Sequence, residues 1–165
     1  TEAIIDHDGP VYIRTGRSDT KRILNDEYKF EIGKAKILRS GSDITLISCG
    51  VTTSRAIDAA KDLSKKGISC RVVNMSTIKP IDKDMIVKCA QETKGIVTIE
   101  DHNIHGGLGS AVSEVVVQNN IAPMEFIGVN DSFGESGEPD ELAAKYGIDK
   151  IGIISGVEKL INRIN

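Results

Sequence analysis

The chain has 165 residues, 39% of them hydrophobic and 27% charged, the balance of a folded domain with its own core and not of a disordered or collagenous chain. Its 21 lysines and arginines against 24 aspartates and glutamates leave a net charge of −3, and only 4% of the residues are aromatic, so the basic surplus and stacking rings of a nucleic-acid binder are both missing. No apolar run approaches the ~20 residues that span a bilayer, and Cys49, Cys70 and Cys89 stand singly in apolar stretches, a spacing that suits neither a zinc site nor a disulfide framework and points to a reducing, cytoplasmic setting.

The chain opens without methionine on Thr1-Glu2-Ala3-Ile4-Ile5, which reads as the end of a helix belonging to a longer chain. Asp8-Gly9-Pro10 marks a turn, and Val11-Tyr12-Ile13-Arg14-Thr15 is rich enough in β-formers to predict a strand. A single strand has nothing to pair with, so residues 1–28 are expected to be poorly anchored on their own. Residues 18–33 turn polar without a sustained period and read as a linker ending near Gly33.

Beyond Gly33 the pattern becomes regular. Residues 35–39 and 44–48 predict two strands separated by Gly41-Ser42, which are expected to pair as a hairpin. Residues 52–66 place Ala56, Ile57, Ala59, Ala60 and Leu63 on one helical face, with Gly67 as the stop. A strand at 70–74, a helix at 82–93, a strand at 96–100, a helix at 110–119, a strand at 125–129 and short helices at 140–146 and 157–164 complete the alternation. Crossovers at such spacing require a mostly parallel sheet with helices on both faces, because each helix must return over the sheet to the next strand. The expected fold is therefore a three-layer α/β/α domain built on a mostly parallel mixed sheet of about five strands.

In open sheets of this kind ligands sit beyond the carboxyl ends of the strands, which directs attention to residues 50–52, 75–77, 100–109 and 130–138. The third loop, Glu100-Asp101-His102-Asn103-Ile104-His105-Gly106-Gly107-Leu108-Gly109, leads into a helix. Its glycines would let backbone amides approach an anion, or they form a structural turn; the dinucleotide fingerprint is broken by Val112. His102 and His105, beside Glu100 and Asp101, have the chemistry of an acid–base pair or of metal ligands, while the simpler reading is that polar residues at a strand end cap the next helix. Cys49 stands at a strand end where a nucleophile could be placed, yet no nucleophile elbow surrounds it, and a small buried apolar role suits it better. Arg14 and Arg17 follow the opening strand, and a guanidinium can grip phosphate oxygens in a bidentate fork.

Four blocks carry a resemblance. They are Gly9-Pro10-Val11-Tyr12-Ile13-Arg14-Thr15-Gly16-Arg17, Glu31-Ile32-Gly33-Lys34-Ala35, Glu100-Asp101-His102-Asn103 with Gly106-Gly107-Leu108-Gly109-Ser110-Ala111, and Phe133-Gly134-Glu135-Ser136-Gly137 with Glu141-Leu142 and Tyr146-Gly147. Together they resemble the C-terminal part of a transketolase, most nearly the split type in which two shorter chains make one enzyme. The glycine-rich block is also similar to 1-deoxyxylulose-5-phosphate synthase, whereas the Phe133 block favours transketolase.

The resemblance implies that residues 1–17 are the tail of a pyrimidine-binding domain, 18–33 a linker and 34–165 the family's C-terminal domain. It implies transfer of a two-carbon ketol unit from a ketose phosphate to an aldose phosphate, with thiamine diphosphate and a divalent metal (Mg) held by a separate N-terminal, cofactor-binding portion in a homo- or hetero-oligomer. The motifs that hold the cofactor are not found in this sequence, so this chain alone is expected to be inactive and to bind neither cofactor nor metal. Arg17 matches the family's arginine for the sugar phosphate, and Arg14 does not. No catalytic residue is assigned. The contrasting expectation is a non-catalytic docking or assembly module of a thiamine diphosphate enzyme.

Overall fold

The computed structural model describes residues 2–16, 20–119 and 122–165. In chain order the elements are α1 (Glu2–Ile5), β1 (Lys36–Arg39), β2 (Ile44–Ser48), α2 (Thr52–Lys65), β3 (Cys70–Asn74), α3 (Lys83–Glu92), β4 (Ile96–Asn103), α4 (Leu108–Asn119), β5 (Met124–Val129), α5 (Pro139–Lys145) and α6 (Lys150–Ile164). No described helix is long and apolar enough to cross a membrane.

The strands form one sheet in the order β1-β3-β2-β4-β5. β2, β3, β4 and β5 run parallel, with Ile44 beside Cys70, Thr45 beside Ile96 and Ile96 beside Met124, while β1 runs antiparallel to β3. All five residues of β2 and all five of β3 are buried, as parallel strands covered on both faces must be. On one face Ile44, Leu46, Val72, Val97 and Ile99 meet Ala56, Ala60 and Leu63 of α2 and Ile153, Val157 and Leu160 of α6. On the other, Ile47, Val73 and Ile96 meet Ile86 and Cys89 of α3 and Leu108, Val112 and Val116 of α4. Each fully buried aliphatic side chain contributes roughly 1.5–3 kcal/mol, and together they hold the strand ends in fixed positions. The mixed five-stranded α/β/α sheet matches the expected fold class.

The expected hairpin of β1 and β2 does not form. β3 lies between them, because the connection at residues 40–43 crosses the start of β3 instead of folding back on itself. The crossing is held by Ser42 N and Asp43 N, which donate to Ser69 O at 3.1 and 2.9 Å, and by Ser69 N, which donates to Asp43 Oδ2 at 2.8 Å. The start of β1 is fixed to the opposite side of the fold by Asp82. Its Oδ2 accepts from Ala35 N at 2.8 Å, and its Oδ1 caps α3 through Met85 N at 3.1 Å.

Residues 11–15 are not a strand either. They make no ladder with the sheet, and of residues 2–16 all but Ile4 are exposed. Their β-forming side chains find neither a paired backbone nor an apolar face to cover. α6 begins at Lys150, well before the helix expected at 157, because the Asp149 carboxylate caps it by accepting from Gly152 N at 2.8 Å. Gly156 argues against a helix by propensity, yet it lies where α6 presses on β5: a Cβ there would stand 2.7 Å from Ile127 Cδ1.

Asp43 also offers a pH test. Its carboxyl is held below the usual carboxylate range, first by the bond from Ser69 N and then by the Lys94 ammonium, whose Nζ lies 3.2 Å from Oδ1. A depressed folded-state pKa means that the unfolded chain takes up the proton first as the pH falls. The contribution of Asp43 is therefore complete above the unfolded value near ~3.9 and disappears as the pH drops through the lower folded value. Asp43→Asn should destabilise the domain by about 1 kcal/mol at pH 7, and the gap should narrow towards pH 2. Urea unfolding at several pH values measures it, and a gap that stays constant from pH 6 to pH 2 would contradict this role.

Candidate functional site

The carboxyl ends of β2, β3, β4 and β5 converge on one rim of the sheet. At β2 and β3 the polar side chains are spent on one another: Ser48 Oγ donates to Thr53 Oγ1 at 3.2 Å, Thr53 Oγ1 to Asn74 Oδ1 at 3.3 Å, and Asn74 Nδ2 to Ser76 Oγ at 2.9 Å. The Thr52 hydroxyl lies 2.8 Å from Cys49 O and 3.0 Å from Ile99 O, tying the start of α2 to β4.

Cys49 is half-buried within this rim. Burial pushes its thiol up to about 11, with the negative charges of Glu100 and Asp101 acting in the same direction and Arg14 opposing them. Nucleophilic chemistry needs the thiolate, so at neutral pH Cys49 is a small packing residue, as the sequence suggests.

Glu100 decides what the glycine-rich loop does. It follows Ile96 and Thr98 at period two, which turns its side chain towards the α4 face, and it is 2% exposed. Its Oε2 accepts from Leu108 N at 2.7 Å and its Oε1 from Gly109 N at 2.8 Å. The N-terminus of α4, where an incoming phosphate would sit, already holds a carboxylate of the chain itself. Gly107 makes room for that carboxylate, since a Cβ there would stand 2.8 Å from Glu100 Cδ. The loop is thus a structural turn, and α4 starts at Leu108, earlier than the expected 110, because Glu100 satisfies its first amides.

The rest of the loop is also internally bonded. Asn103 Oδ1 accepts from His105 N at 2.8 Å, Asn103 Nδ2 donates to Asp131 Oδ1 at 3.1 Å, and Gly106 N donates to Ser110 Oγ at 2.9 Å. His102 and His105 are exposed. Glu100, Asp101 and His102 stand at the end of β4 and His105 in the turn that follows, and among the described residues no three histidine, cysteine, aspartate or glutamate side chains gather as metal ligands.

Beyond β5, residues 131–138 are exposed. Tyr146 Oη donates to Phe133 O at 3.1 Å and Lys145 Nζ lies 2.6 Å from Glu135 Oε2, so the loop is pinned to α5 while the Phe133 side chain is 98% exposed. On the other side of the rim, Arg14 Nη1 donates to Asp101 O at 2.8 Å, with Nη2 3.8 Å from Asp101 Oδ2. Arg17, the expected substrate-binding residue, lies outside the described residues. The sequence anticipated a helix cap among the polar residues at this strand end without singling out Glu100, which supplies it, and it missed Asp101 as acceptor for Arg14. The choice of Glu100 had a signal in the alternation of β4, and the Arg14 contact had none.

Comparison with known proteins adds to this geometry. Residues 33–153 match the family described as transketolase, C-terminal domain. The chain is 38% identical over 162 residues to the 6-deoxy-6-sulfo-D-fructose transketolase subunit SqwH of Clostridium sp. (strain MSTE9), covering 98% of this chain and 50% of that protein. It is 42% identical over 151 residues to a subunit of the apulose-4-phosphate transketolase of Phocaeicola vulgatus, covering 91% of this chain and 48% of that protein. A solved structure described as a split gene transketolase, inactive beta4 tetramer, superposes with a TM-score of 0.93 at 41% identity, covering 97% of this chain and 52% of that one. The chain spans about half the length of these relatives.

Proposed function

This chain belongs to the transketolase C-terminal domain family, and from that premise we propose that it is the C-terminal part of a transketolase assembled from separate portions. A cofactor-binding partner portion holds thiamine diphosphate and its Mg ion, which supply the carbanion chemistry of ketol transfer. The enzyme moves a two-carbon ketol unit from a ketose phosphate to an aldose phosphate. Two relatives are named as transketolase subunits and a solved one is described as a split gene transketolase, which supports the same arrangement here.

The observation that carries this division of labour is Glu100. The helix N-terminus that the rim could offer to an anion is filled by an internal carboxylate, so the described residues do not fit a diphosphate there. Residues 1–17 suit the tail of a pyrimidine-binding domain, with 18–33 as linker and 34–165 as the C-terminal domain: α1 buries no residue, and residues 5–16 are exposed.

In this reading Arg17 holds the anionic end of the sugar. A guanidinium forks onto phosphate or sulfonate oxygens, and binding energy gained far from the reacting carbon orients it. The test uses the full chain reconstituted with its cofactor-binding partner. Arg17→Ala should lower the preference for D-ribose 5-phosphate over D-ribose, taken as the ratio of kcat/KM, by roughly 10–100-fold, about 1.4–2.8 kcal/mol of transition-state binding. An unchanged ratio would remove Arg17 from substrate recognition, and ketol transfer by the isolated chain would overturn the dependence on a partner.

A second reading, a docking or assembly module, draws on the exposed rings of Phe133 at 98% and Tyr12 at 88%, which suit burial against another chain. Under that reading Arg17→Ala leaves the phosphate preference untouched, whereas Phe133→Ala weakens assembly.

A further inference from the structure

The lysines of this fold divide into two groups. Lys61 and Lys65 of α2, Lys145 of α5 and Lys150 and Lys159 of α6 each lie 2.5–3.1 Å from a carboxylate oxygen, and Lys21, Lys66 and Lys94 are paired at 3.5, 2.7 and 3.2 Å. Among the described residues Lys29, Lys34, Lys36, Lys79, Lys83 and Lys88 have no such partner, and they gather on the side where β1 meets α3. There Gly33 N donates to Thr77 Oγ1 at 3.0 Å and Ala35 N to Asp82 Oδ2 at 2.8 Å, which brings the start of β1 against the start of α3. The Asp82 carboxylate is 6% exposed and both its oxygens accept from backbone amides, so it pairs with none of these ammoniums.

Three of the six share a cavity. Its volume is about 310 Å³, and Glu27, Tyr28, Lys29, Glu31, Lys34 and Lys36 stand in its walls; small ligands take sites of roughly 300–1,000 Å³. The walls are fixed by two turns, which Tyr28 N and Lys34 N close by donating to Asn25 O and Glu31 O, each at 3.2 Å. Lys36 is beside Asn74, the last residue of β3, so the cavity lies at the carboxyl-end rim, three strand spacings or about 14 Å from β4 and its glycine-rich loop. Three ammoniums without a counter-charge call for an anion, and each offers its donors to phosphate oxygens. Glu27 and Glu31 repel a bare anion, so the ligand must present hydroxyl donors beside its charge.

We propose that this cavity binds a small phosphate ester that carries hydroxyl groups. Lys29, Lys34 and Lys36 hold the phosphate, Glu27 and Glu31 accept from the hydroxyls, and the Tyr28 ring offers a face to a base where the ester is a nucleotide. A nucleoside monophosphate and a sugar phosphate share this chemistry, and Tyr28 separates them. The three lysines are exposed, so binding weakens as added salt screens them.

Titration calorimetry on the full chain at low salt, with AMP and with D-ribose 5-phosphate, tests the site. At least one of the two should bind with a Kd at or below about 1 mM, and more tightly than inorganic phosphate or citrate. Lys34→Met combined with Lys36→Met should weaken that binding roughly 10-fold, whereas Lys66→Met, which removes an ammonium paired with Glu158, should leave it unchanged. If AMP is the tighter ligand, Tyr28→Ala should bring it down to the level of D-ribose 5-phosphate, and the site is one for nucleotides; an equal or greater affinity for D-ribose 5-phosphate makes it a sugar phosphate site. Failure of both esters to reach that affinity overturns the proposal. So does binding matched by inorganic phosphate or citrate, binding that survives the double lysine change, or an AMP advantage that survives Tyr28→Ala.

Discussion

Glu100→Ala is expected to destabilise the domain by about 3 kcal/mol, measured as a shift of the urea midpoint at unchanged slope. The carboxylate accepts from two buried amides, Leu108 N and Gly109 N, at 2.7 and 2.8 Å, and the pair is charge-assisted and stands at the positive end of α4. Alanine leaves both amides without an acceptor in a place that the fold closes to water, at about 1–3 kcal/mol each, partly offset because a buried charge no longer has to be desolvated. Glu100→Gln should lose less, about 1–2 kcal/mol, because its amide oxygen still serves one donor while its NH2 faces the other. With its first amides unpaired α4 frays, and the Asp101 carbonyl that receives Arg14 shifts. A loss below about 1 kcal/mol would mean that the loop repacks around a water and that Glu100 is not the element that closes the helix to outside anions.

Much of this was legible before any coordinates. The strands at the sheet centre announce themselves because both faces are covered, so Ile44, Leu46, Ile47, Val72 and Val73 form near-continuous apolar runs, and α2 shows its single buried face in Ala56, Ala59, Ala60 and Leu63. The glycine-rich loop was legible only as two alternatives. Glycine lets a backbone amide approach any oxygen, and Gly107 has the same sequence signature whether that oxygen belongs to a phosphate or to Glu100. The direction of the Glu100 side chain separates them, and that direction follows from the face on which Thr98 and Ile96 lie. The contact of Arg14 with Asp101 joins residues 87 apart in the chain, and no local pattern encodes it. The strand expected at 11–15 shows the opposite case: Val11, Tyr12 and Ile13 have the propensity, but propensity becomes structure only where a partner strand accepts the backbone bonds.

Gly41→Ala should be at least as damaging as the loss of the cap, at about 3 kcal/mol or more. It tests the feature of the fold that the sequence pattern concealed most completely. Adjacent strands around Gly41-Ser42 look like a hairpin, and β3 comes between them only because the connection can lie directly on the backbone of Cys70. A Cβ at Gly41 would stand 2.6 Å from Cys70 O and closer still to the Cys70 carbonyl carbon and Arg71 N. These are backbone atoms of a five-residue strand buried along its length, so they cannot yield as the tip of a side chain would. The crossing itself must lift, and with it go the bonds of Ser42 N and Asp43 N to Ser69 O and of Ser69 N to Asp43 Oδ2, each worth about 1 kcal/mol. Gly134→Ala is the matched control: a Cβ there meets nothing within 4 Å, and the change should stay within about 0.5 kcal/mol of the parent. Chemical unfolding of the two variants side by side separates a general dislike of alanine from a steric block at the crossing. If Gly41→Ala were as mild as Gly134→Ala, the crossing would be free to rise off β3, and the antiparallel edge strand could not be fixed by the close approach at Gly41.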